Sequence, residues 1–589
     1  MSSPRTLTQG KSSAPSRKAP KAKPSPQEIE AIRAARAEKK ARIAADPILS
    51  GKQKFAPRQW LPVVSDAQRE LGKRSSVRIL SWNILAQGLV RRKLFPGSDC
   101  LKWPERMPIL DAELDPDSHA WDVACFQEVD RMEHHSETFS RAGFSWSYEK
   151  GYESKQHGLL IAWRSRLPDH SAGEGQPEPS STAETKSRTT FESAPIAKRI
   201  VYYDQVEACK YFHGASSDTS PTTSTSGSRS TRNIAQIVAL RLATDASGAR
   251  VTGEPTSGLI VATTHLFWHP SHAYERVRQA GILLQEAYAF RREHKEIAKW
   301  DIVIAGDFND QPHSATYHLM SGLPPSREAI EEVQRSTVVH SSIDEAKRRD
   351  AEAHAIAQGI EHVEHAGART GSGEMDTESG QEEAEGDEAS EDGGENDDEQ
   401  EDIAGPEDAS TTMLKGCRAA RQEDGLLTLE ALASLFASPG HEAAGSSTVR
   451  SAYGHAFNRL KSLDGSEAMV ENYFSSVSRG RERFDDETWY EGKRNEHASL
   501  PAGHPGRDEP MWTLYSSIFS LTLDYIWLLP NPLRSQSTEE RKEADRQDAY
   551  PHITALLAML RTKDLAPGIP RKGVCASDHV AIGAEIELR

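Results

Sequence analysis

The chain has 589 residues and a formal net charge of -17, but 18 of its acidic residues fall in residues 371–410, where there is no Lys or Arg. Outside that segment the balance is +1, so the acidic total does not exclude a polyanionic substrate, and the local placement of Lys and Arg has to decide. Five scattered cysteines without a Cys-x-x-Cys pair exclude a disulfide framework, and no apolar run approaches the ~18 residues that span a bilayer. A soluble monomer in a reducing compartment, cytoplasm or nucleus, is expected, with no membrane partner.

Residues 1–72 read as a basic tail and an exposed helix. Residues 1–26 are rich in Ser, Pro, Lys and Arg and contain no acid, a composition that cannot bury a core. A nuclear-import patch or an RNA-tethering arm are the functional readings of this disordered tail; a solvated tail is the plainer one. Ser25-Pro26-Gln27-Glu28 is a capping box with Pro at the first helical position, and opens an Ala- and charge-rich helix to about Asp46.

From Val77 onward, short β-branched and aromatic runs alternate with helical stretches. Residues 77–82, 121–126, 259–262 and 301–305 read as strands, and a helix is expected around 274–293. At the end of the chain Val580, Ile582, Ala584, Ile586 and Leu588 alternate with Ala581, Gly583, Glu585 and Glu587, the period-2 pattern of a strand with one buried face. An α/β fold follows. Low-complexity stretches at 169–190, 214–232 and 326–420 are too long and polar for core and read as surface insertions. The domain is then discontinuous: 73–325, an acidic insertion at 326–420, and 421–589.

Polar signatures sit where those strands end. Asn83, Glu128 and Asp578 are hard oxygen ligands, which suit Mg²⁺, with Mn²⁺ as its substitute, rather than zinc. Asp307 and Asn309, two residues apart, are candidates to polarise an attacking water. His265 and His579 are candidate donors to non-bridging phosphate oxygens, and Asp524 is a candidate partner for His579.

The ordered set Ser81-Trp82-Asn83, Gln127-Glu128, Gly306-Asp307-Phe308-Asn309 and Ser577-Asp578-His579 resembles the motif series of the endonuclease/exonuclease/phosphatase (DNase I-like) superfamily. The resemblance implies a sandwich of two mixed β-sheets flanked by helices. It also implies Glu128 as the principal Mg²⁺ ligand with Asn83 nearby, Asp307 and Asn309 at the nucleophile, and Asp524, Asp578 and His579 around the scissile phosphate. Asn83-Ile84-Leu85-Ala86, the run from His265 to Pro270, Pro510-Met511-Trp512-Thr513 and Leu523-Asp524-Tyr525-Ile526 are similar to the group containing the carbon-catabolite-repressor deadenylases, nocturnin, the angel proteins and fungal exonucleases of ribosomal RNA 3′ ends. The last resemble it most, since the chain lacks leucine-rich repeats. His157-Gly158 stands where the deadenylases carry Asp-Gly, which argues against strict poly(A) preference.

Lys155 and His157 are candidates to touch substrate phosphates, Trp512 and Phe519 to stack on an unpaired base, and Asn233 to serve the site. Arg276 is read as holding a helix against the sheet. The acidic insertion is the candidate contact for a basic protein partner, with a solvated spacer as the plainer reading. The expected activity is Mg²⁺-dependent 3′–5′ hydrolysis of single-stranded RNA ends, in ribosomal RNA processing or deadenylation. The alternatives are a nocturnin-like dinucleotide phosphatase and a non-catalytic RNA- or protein-binding scaffold.

Overall fold

The computed structural model describes residues 27, 33, 36, 40 and 48, and the segments 51–64, 76–165, 188–211, 225–244, 257–344, 414–438, 449–461, 495–531, 549–560 and 562–588. Residues 1–54 and 55–589 are separate units. In the first, Gln27, Arg33, Arg36 and Lys40 are helical and exposed; the capping residues Ser25, Pro26 and Glu28 and the basic tail lie outside the described residues.

In chain order the strands are β1 (Trp60–Pro62), β2 (Ser76–Asn83), β3 (Val123–Val129), β4 (Phe144–Glu149), β5 (Gly158–Arg164) and β6 (Thr190–Phe191). Next come β7 (Ala197–Tyr202), β8 (Ile234–Thr244), β9 (Gly258–His265), β10 (Asp301–Asp307), β11 (Val338–His340) and β12 (Cys417–Ala419). The chain ends with β13 (Arg450–Ser451), β14 (Leu514–Tyr515), β15 (Ser520–Leu521), β16 (Asp524–Leu528), β17 (His552–Leu557) and β18 (Ile582–Glu587). One sheet has the order β1-β17-β18-β2-β3-β5-β4 and the other β13-β16-β10-β9-β8-β6, with β7 also on β8. Both are mixed: β2 and β3 are parallel, as are β9 and β10, while their outer neighbours are antiparallel. The expected sandwich of two mixed sheets is present.

The central strands β9, β10 and β16 of the second sheet are buried on both faces, which is why their sequences are largely apolar runs. Val261 and Val303 belong to the core between the sheets, together with Ile79 and Phe126. Their neighbours Ile260 and Ile304 pack with helix α3 (below) in a second core. Helices α1 (Trp103–Leu114) and α2 (Met132–Arg141) flank the first sheet; α3 (Ala273–Glu293), α4 (Ala315–Met320) and α5 (Arg327–Arg335) cover the second. Among the described residues no helix is long and apolar enough to cross a membrane.

Four sequence expectations are corrected. The last strand is buried on both faces, because β18 lies inside its sheet between β17 and β2 and Trp60 covers Gly583. Glu585 is buried there by an ion pair with Arg78 at 2.7 Å. β1, within the stretch 1–72 read as tail and helix, pairs with β17; three residues ending in Pro show no alternation to recognise. The boundaries of the insertion at 326–420 are also narrower than expected, since α5 and the β11–β12 ribbon carry both of its ends. Finally, residues 225–232, read as insertion, are folded against α3, with the Ser228 amide and hydroxyl both donating to Glu275.

β16 carries Asp524 and is braced from behind. Tyr317 of α4 packs on Tyr525 and Trp527, 5.4 and 5.1 Å between ring centroids, and donates its hydroxyl to Glu509 at 2.7 Å. Burial pushes the Glu509 carboxyl up to about 7 from an ordinary 4.5. The folded state therefore binds this proton more tightly than the unfolded chain. The contribution is fully present below pH 4.5 and is lost as pH rises through 7. Urea unfolding at pH 5 and pH 8 is expected to show Glu509→Gln gaining about 3 kcal/mol on wild type between the two. Parallel losses in both proteins would mean that Glu509 is not the titrating group.

Candidate active site

Strand register assembles the site. In the second sheet Asp307, the last residue of β10, lies opposite His265 of β9 on one side and Asp524 of β16 on the other. A Cβ on the preceding Gly306 would collide with the Thr264 carbonyl, so glycine lets β9 and β10 approach closely there. In the first sheet Asn83 ends β2 opposite Gln127, and Glu128 follows at a register shift in β3. Glu128 has φ 58° and Asn309 φ 49°, left-handed values that turn both side chains out of the regular pleat.

The two sheets meet through side chains. The Asn83 amide donates to Glu128 Oε1 at 2.9 Å and to Asp307 Oδ2 at 3.0 Å. Glu128 Oε2 accepts from the Ala86 amide at 3.0 Å, and Asp307 Oδ1 from the Asn309 amide at 2.9 Å. His579 Nδ1 is 2.8 Å from Asp524 Oδ2, and its Nε2 is 3.7 Å from Asp307 Oδ2. His265 Nε2 lies 3.6 Å from Asp307 Oδ2 and 3.9 Å from Glu128 Oε1. The loop with Asp578 is pinned to β2 by Ser577 Oγ donating to the Asn83 carbonyl at 2.7 Å and by Trp82 Nε1 donating to the His579 carbonyl at 2.8 Å.

Charge is concentrated here. Burial raises the Glu128 carboxyl, but His265, His157 and the Asn83 amide outweigh it and hold the group below its ordinary value. Burial, then Asp524, pushes Asp307 up, and burial with Glu128 nearby pushes Asp578 up to about 6. Burial would discharge His579, yet Asp524 and Asp307 keep it protonated well above its ordinary value.

The donor set fits a hard divalent cation: the Glu128 and Asp307 carboxylates share the Asn83 NH2, whose Oδ1 accepts from the Leu85 amide at 3.0 Å, and among the described residues Asp524 Oδ1 is buried with no hydrogen-bond partner. By distance alone Asp307, Asp524 and His579 form a metal-like group, with ligand atoms within 4.8 Å. Asp524 and Asp307 draw His579 toward its protonated form, which makes it the poorest ligand of this trio; Glu128 and Asp578 add carboxylates at the same cleft, with Asn83 beside them.

Residues 80–355 match the model of the Endonuclease/Exonuclease/phosphatase family. Over these residues the chain is similar to that family. It is 30% identical over 289 residues to the probable RNA exonuclease C9B6.11c of Schizosaccharomyces pombe, covering 48% of this chain and 46% of that protein. RNA exonuclease NGL2 of Saccharomyces cerevisiae is 29% identical over 330 residues, covering 52% and 55%. The CCR4-Not complex 3′-5′-exoribonuclease subunit Ccr4 of Candida albicans is 24% identical over 286 residues, covering 45% and 32%. The chain thus spans about half the length, or less, of these curated relatives. The crystal structure of ANGEL2, a 2′,3′-cyclic phosphatase, in complex with adenosine-2′,3′-vanadate, overlays with a TM-score of 0.43 at 15% identity, over 91% of this chain and 99% of that one.

The acid centre opens into a cleft of about 600 Å³. Lys155, His157, Asn233, Asn309 and Phe519 line it with the catalytic candidates. Asn233 donates to the His265 carbonyl at 2.8 Å and so fixes that backbone, while Asn309 donates to the Leu266 carbonyl at 2.9 Å. Arg276 donates to the His269 and Pro270 carbonyls from α3, which holds the segment after His265 against the helix. Trp512 is not at the cleft: it is 3% exposed in the core between the sheets, and its Nε1 donates to Thr562 Oγ1 at 2.9 Å. The reading of Trp512 as a stacking platform is therefore corrected; flanking a strand, it packs inward.

Sequence reasoning missed two contributors. Arg229 lies over the Phe267 ring, 4.5 Å from its centroid, on the cleft wall, but it is embedded in Ser- and Thr-rich sequence that read as an insertion. Arg106 of α1 donates to the carbonyls of Ile84, Leu85 and Ala576 and to Gln87 Oε1, joining both loops that carry ligands. No local motif marks it.

Chemical unfolding separates the two aromatics. Trp512→Ala is expected to lose about 3–5 kcal/mol of stability. Phe519→Ala, at a side chain 52% exposed, should change it by less than about 0.5 kcal/mol. Equal losses would contradict the assignment.

Proposed function

We propose that this protein is a Mg²⁺-dependent 3′–5′ exoribonuclease that removes nucleotides from single-stranded RNA ends, with ribosomal RNA as its setting. The observation that carries this reading is the buried acid and imidazole centre opening into a long cleft with aromatic and cationic walls. Trp268 and Phe519 offer faces for unstacked bases, and Lys155, Arg91 and Arg232 offer charge to phosphates. The relatives named as RNA exonucleases support RNA as the substrate, and the Ccr4 subunit's name supports the direction.

Glu128, Asn83 and Asp578 are the residues that would hold Mg²⁺, which when bound supplies charge neutralisation and orientation for the phosphate. The remaining roles follow from the chain's own groups. Asp307 accepts the proton of the attacking water; burial and Asp524 raise its proton affinity, which suits that task. The Asn309 amide fixes Asp307 through Oδ1 and leaves Oδ2 to face the imidazoles. His579, kept charged by Asp524, directs Nε2–H toward the oxygens on which charge builds, and His265 does so from the opposite side.

The test is a digest of 5′-labelled single-stranded RNA, with an oligo(A) or a mixed 3′ end, in Mg²⁺ and in EDTA. A ladder shortening from the 3′ end is expected only with Mg²⁺. Glu128→Gln should lower the rate at least ~100-fold and Asp307→Asn by ~10²–10⁴, with both proteins folded by circular dichroism. Comparable rates on the two ends would identify a general trimmer. Folded protein that leaves both RNAs intact while releasing phosphate from a dinucleotide would overturn the nuclease reading.

A further inference from the structure

Helices α1 and α2 face each other through a group that the catalytic reading does not use. His134 Nε2 is 2.8 Å from Asp111 Oδ1. The neighbouring His135 is 1% exposed, and among the described residues neither of its ring nitrogens has a hydrogen-bond partner. One ligand atom from each of Asp111, His134 and His135 lies within 4.8 Å of the others. Trp103 closes the side of the group, edge-on to both imidazoles, with ring centroids 5.6 and 6.4 Å away. None of the three lines the catalytic cleft.

We propose that Asp111, His134 and His135 form a second metal site, selective for Zn²⁺, that clamps α1 to α2 independently of the catalytic centre. The plainer alternative is a surface Asp–His pair beside a core histidine. A core histidine normally bonds at least one nitrogen, and the bare lone pair on His135 is what that alternative leaves unexplained. Two imidazoles and one carboxylate suit a borderline cation, and a catalytic-type zinc shell takes three protein ligands and a water. Zinc bonds of about 2.0 Å place tetrahedral ligand atoms about 3.3 Å apart, which side-chain rotation reaches from the present spacing.

Charges around the group pull in both directions. Burial, with His134, Arg106 and Arg131 nearby, pushes the His135 imidazole down to about 3, so no proton has to leave before it can bind a cation. The same two arginines repel a cation, and Arg131 is drawn partly away by lying over the Trp103 ring at 4.6 Å. Asp111 supplies the opposing charge. Mg²⁺, which prefers oxygen ligands and gives up water reluctantly, is disfavoured at an imidazole pair.

The experiment is Zn²⁺ titration of the full chain against a chromophoric chelator in saturating Mg²⁺, with Co²⁺ absorption as a second readout. One equivalent is expected in wild type and in Glu128→Gln alike. His134→Ala and Asp111→Ala should each weaken it at least ten-fold and remove the intense visible bands of four-coordinate Co²⁺. Both side chains are about one-third exposed, at 34% and 32%, so the variants should melt with metal-free wild type, and only wild type should gain Tm on adding Zn²⁺. Binding unchanged in both variants, binding abolished by Glu128→Gln, or no bound equivalent in wild type would each overturn the proposal.

Discussion

Glu128, Asp307 and Asp524 are buried and Asp578 is half-buried; three of these carboxylates line the cleft and Asp524 sits behind them, beside Asp307 and bonded to His579; their mutual repulsion is the constraint on which the surrounding structure depends. Charges removed from water and set near one another are costly unless each is met by a donor or a cation. The chain meets them unevenly. Glu128 has two amide donors, Asp307 has two, and Asp524 has the His579 imidazole; among the described residues Asp524 Oδ1 has no partner. What is incompletely compensated is displaced toward protonation, as the raised Asp307 and Asp578 carboxyls show. A rigid scaffold that keeps such groups together is poised to gain from an incoming cation.

Rigidity at this point comes from one guanidinium. Leu85 is left-handed at φ 58°, a conformation a branched side chain adopts only under constraint, and the next amide, of Ala86, is the donor to Glu128. Arg106 holds the Ile84 and Leu85 carbonyls from behind and also takes the Ala576 carbonyl, the residue before Ser577-Asp578-His579. Ser577 then reaches back to the Asn83 carbonyl. Two loops about 490 residues apart in sequence are thereby bound to each other and to α1. The strain at Leu85 is held by bonds to its own backbone, its amide donating to Asn83 Oδ1 and its carbonyl accepting from Arg106, and its side chain is buried.

Those facts set what the sequence made legible. The apolar runs at 77–82, 259–262 and 301–305 were recognisable because their strands are buried on both faces, and the polar residues ending them were recognisable because an Asn, Asp or His at the end of such a run has few roles in packing. His265, Asp307 and Asp524 share one row because of strand pairing, which hydrophobic pattern alone does not specify. β1 was invisible for lack of alternation, and β18 misled because a Gly on the outer face looks solvent-exposed until Trp60 is packed on it. Arg229 and residues 225–232 were lost in Ser- and Thr-rich sequence, whose hydroxyls here bond to Glu275 and Asp204 instead of to water. Trp512 and Phe519 had similar sequence surroundings, seven residues apart, and opposite fates, since burial depends on which side of the short β14–β15 ribbon faces the core.

The cleft is electrically divided. Its floor is acidic, and its walls carry Lys155, Arg91, Arg229 and Arg232 with the aromatic rings of Trp268 and Phe519. On the proposed reading a nucleic acid strand would be attracted by the walls at any metal concentration, because phosphates need only cations and bases need only faces. The phosphate to be cut would instead have to approach the carboxylates, a step that is repulsive while they are charged and unscreened. Affinity and reaction are therefore carried by different residues. Wall substitutions act on capture and its salt dependence, and floor substitutions act on the chemical step once the strand is held. The division follows from where burial permits charge: acids survive on the floor because two sheets and Arg106 fix their donors, while Arg91, Lys155 and Arg232 are less buried and Arg229 is held against Phe267 and His272.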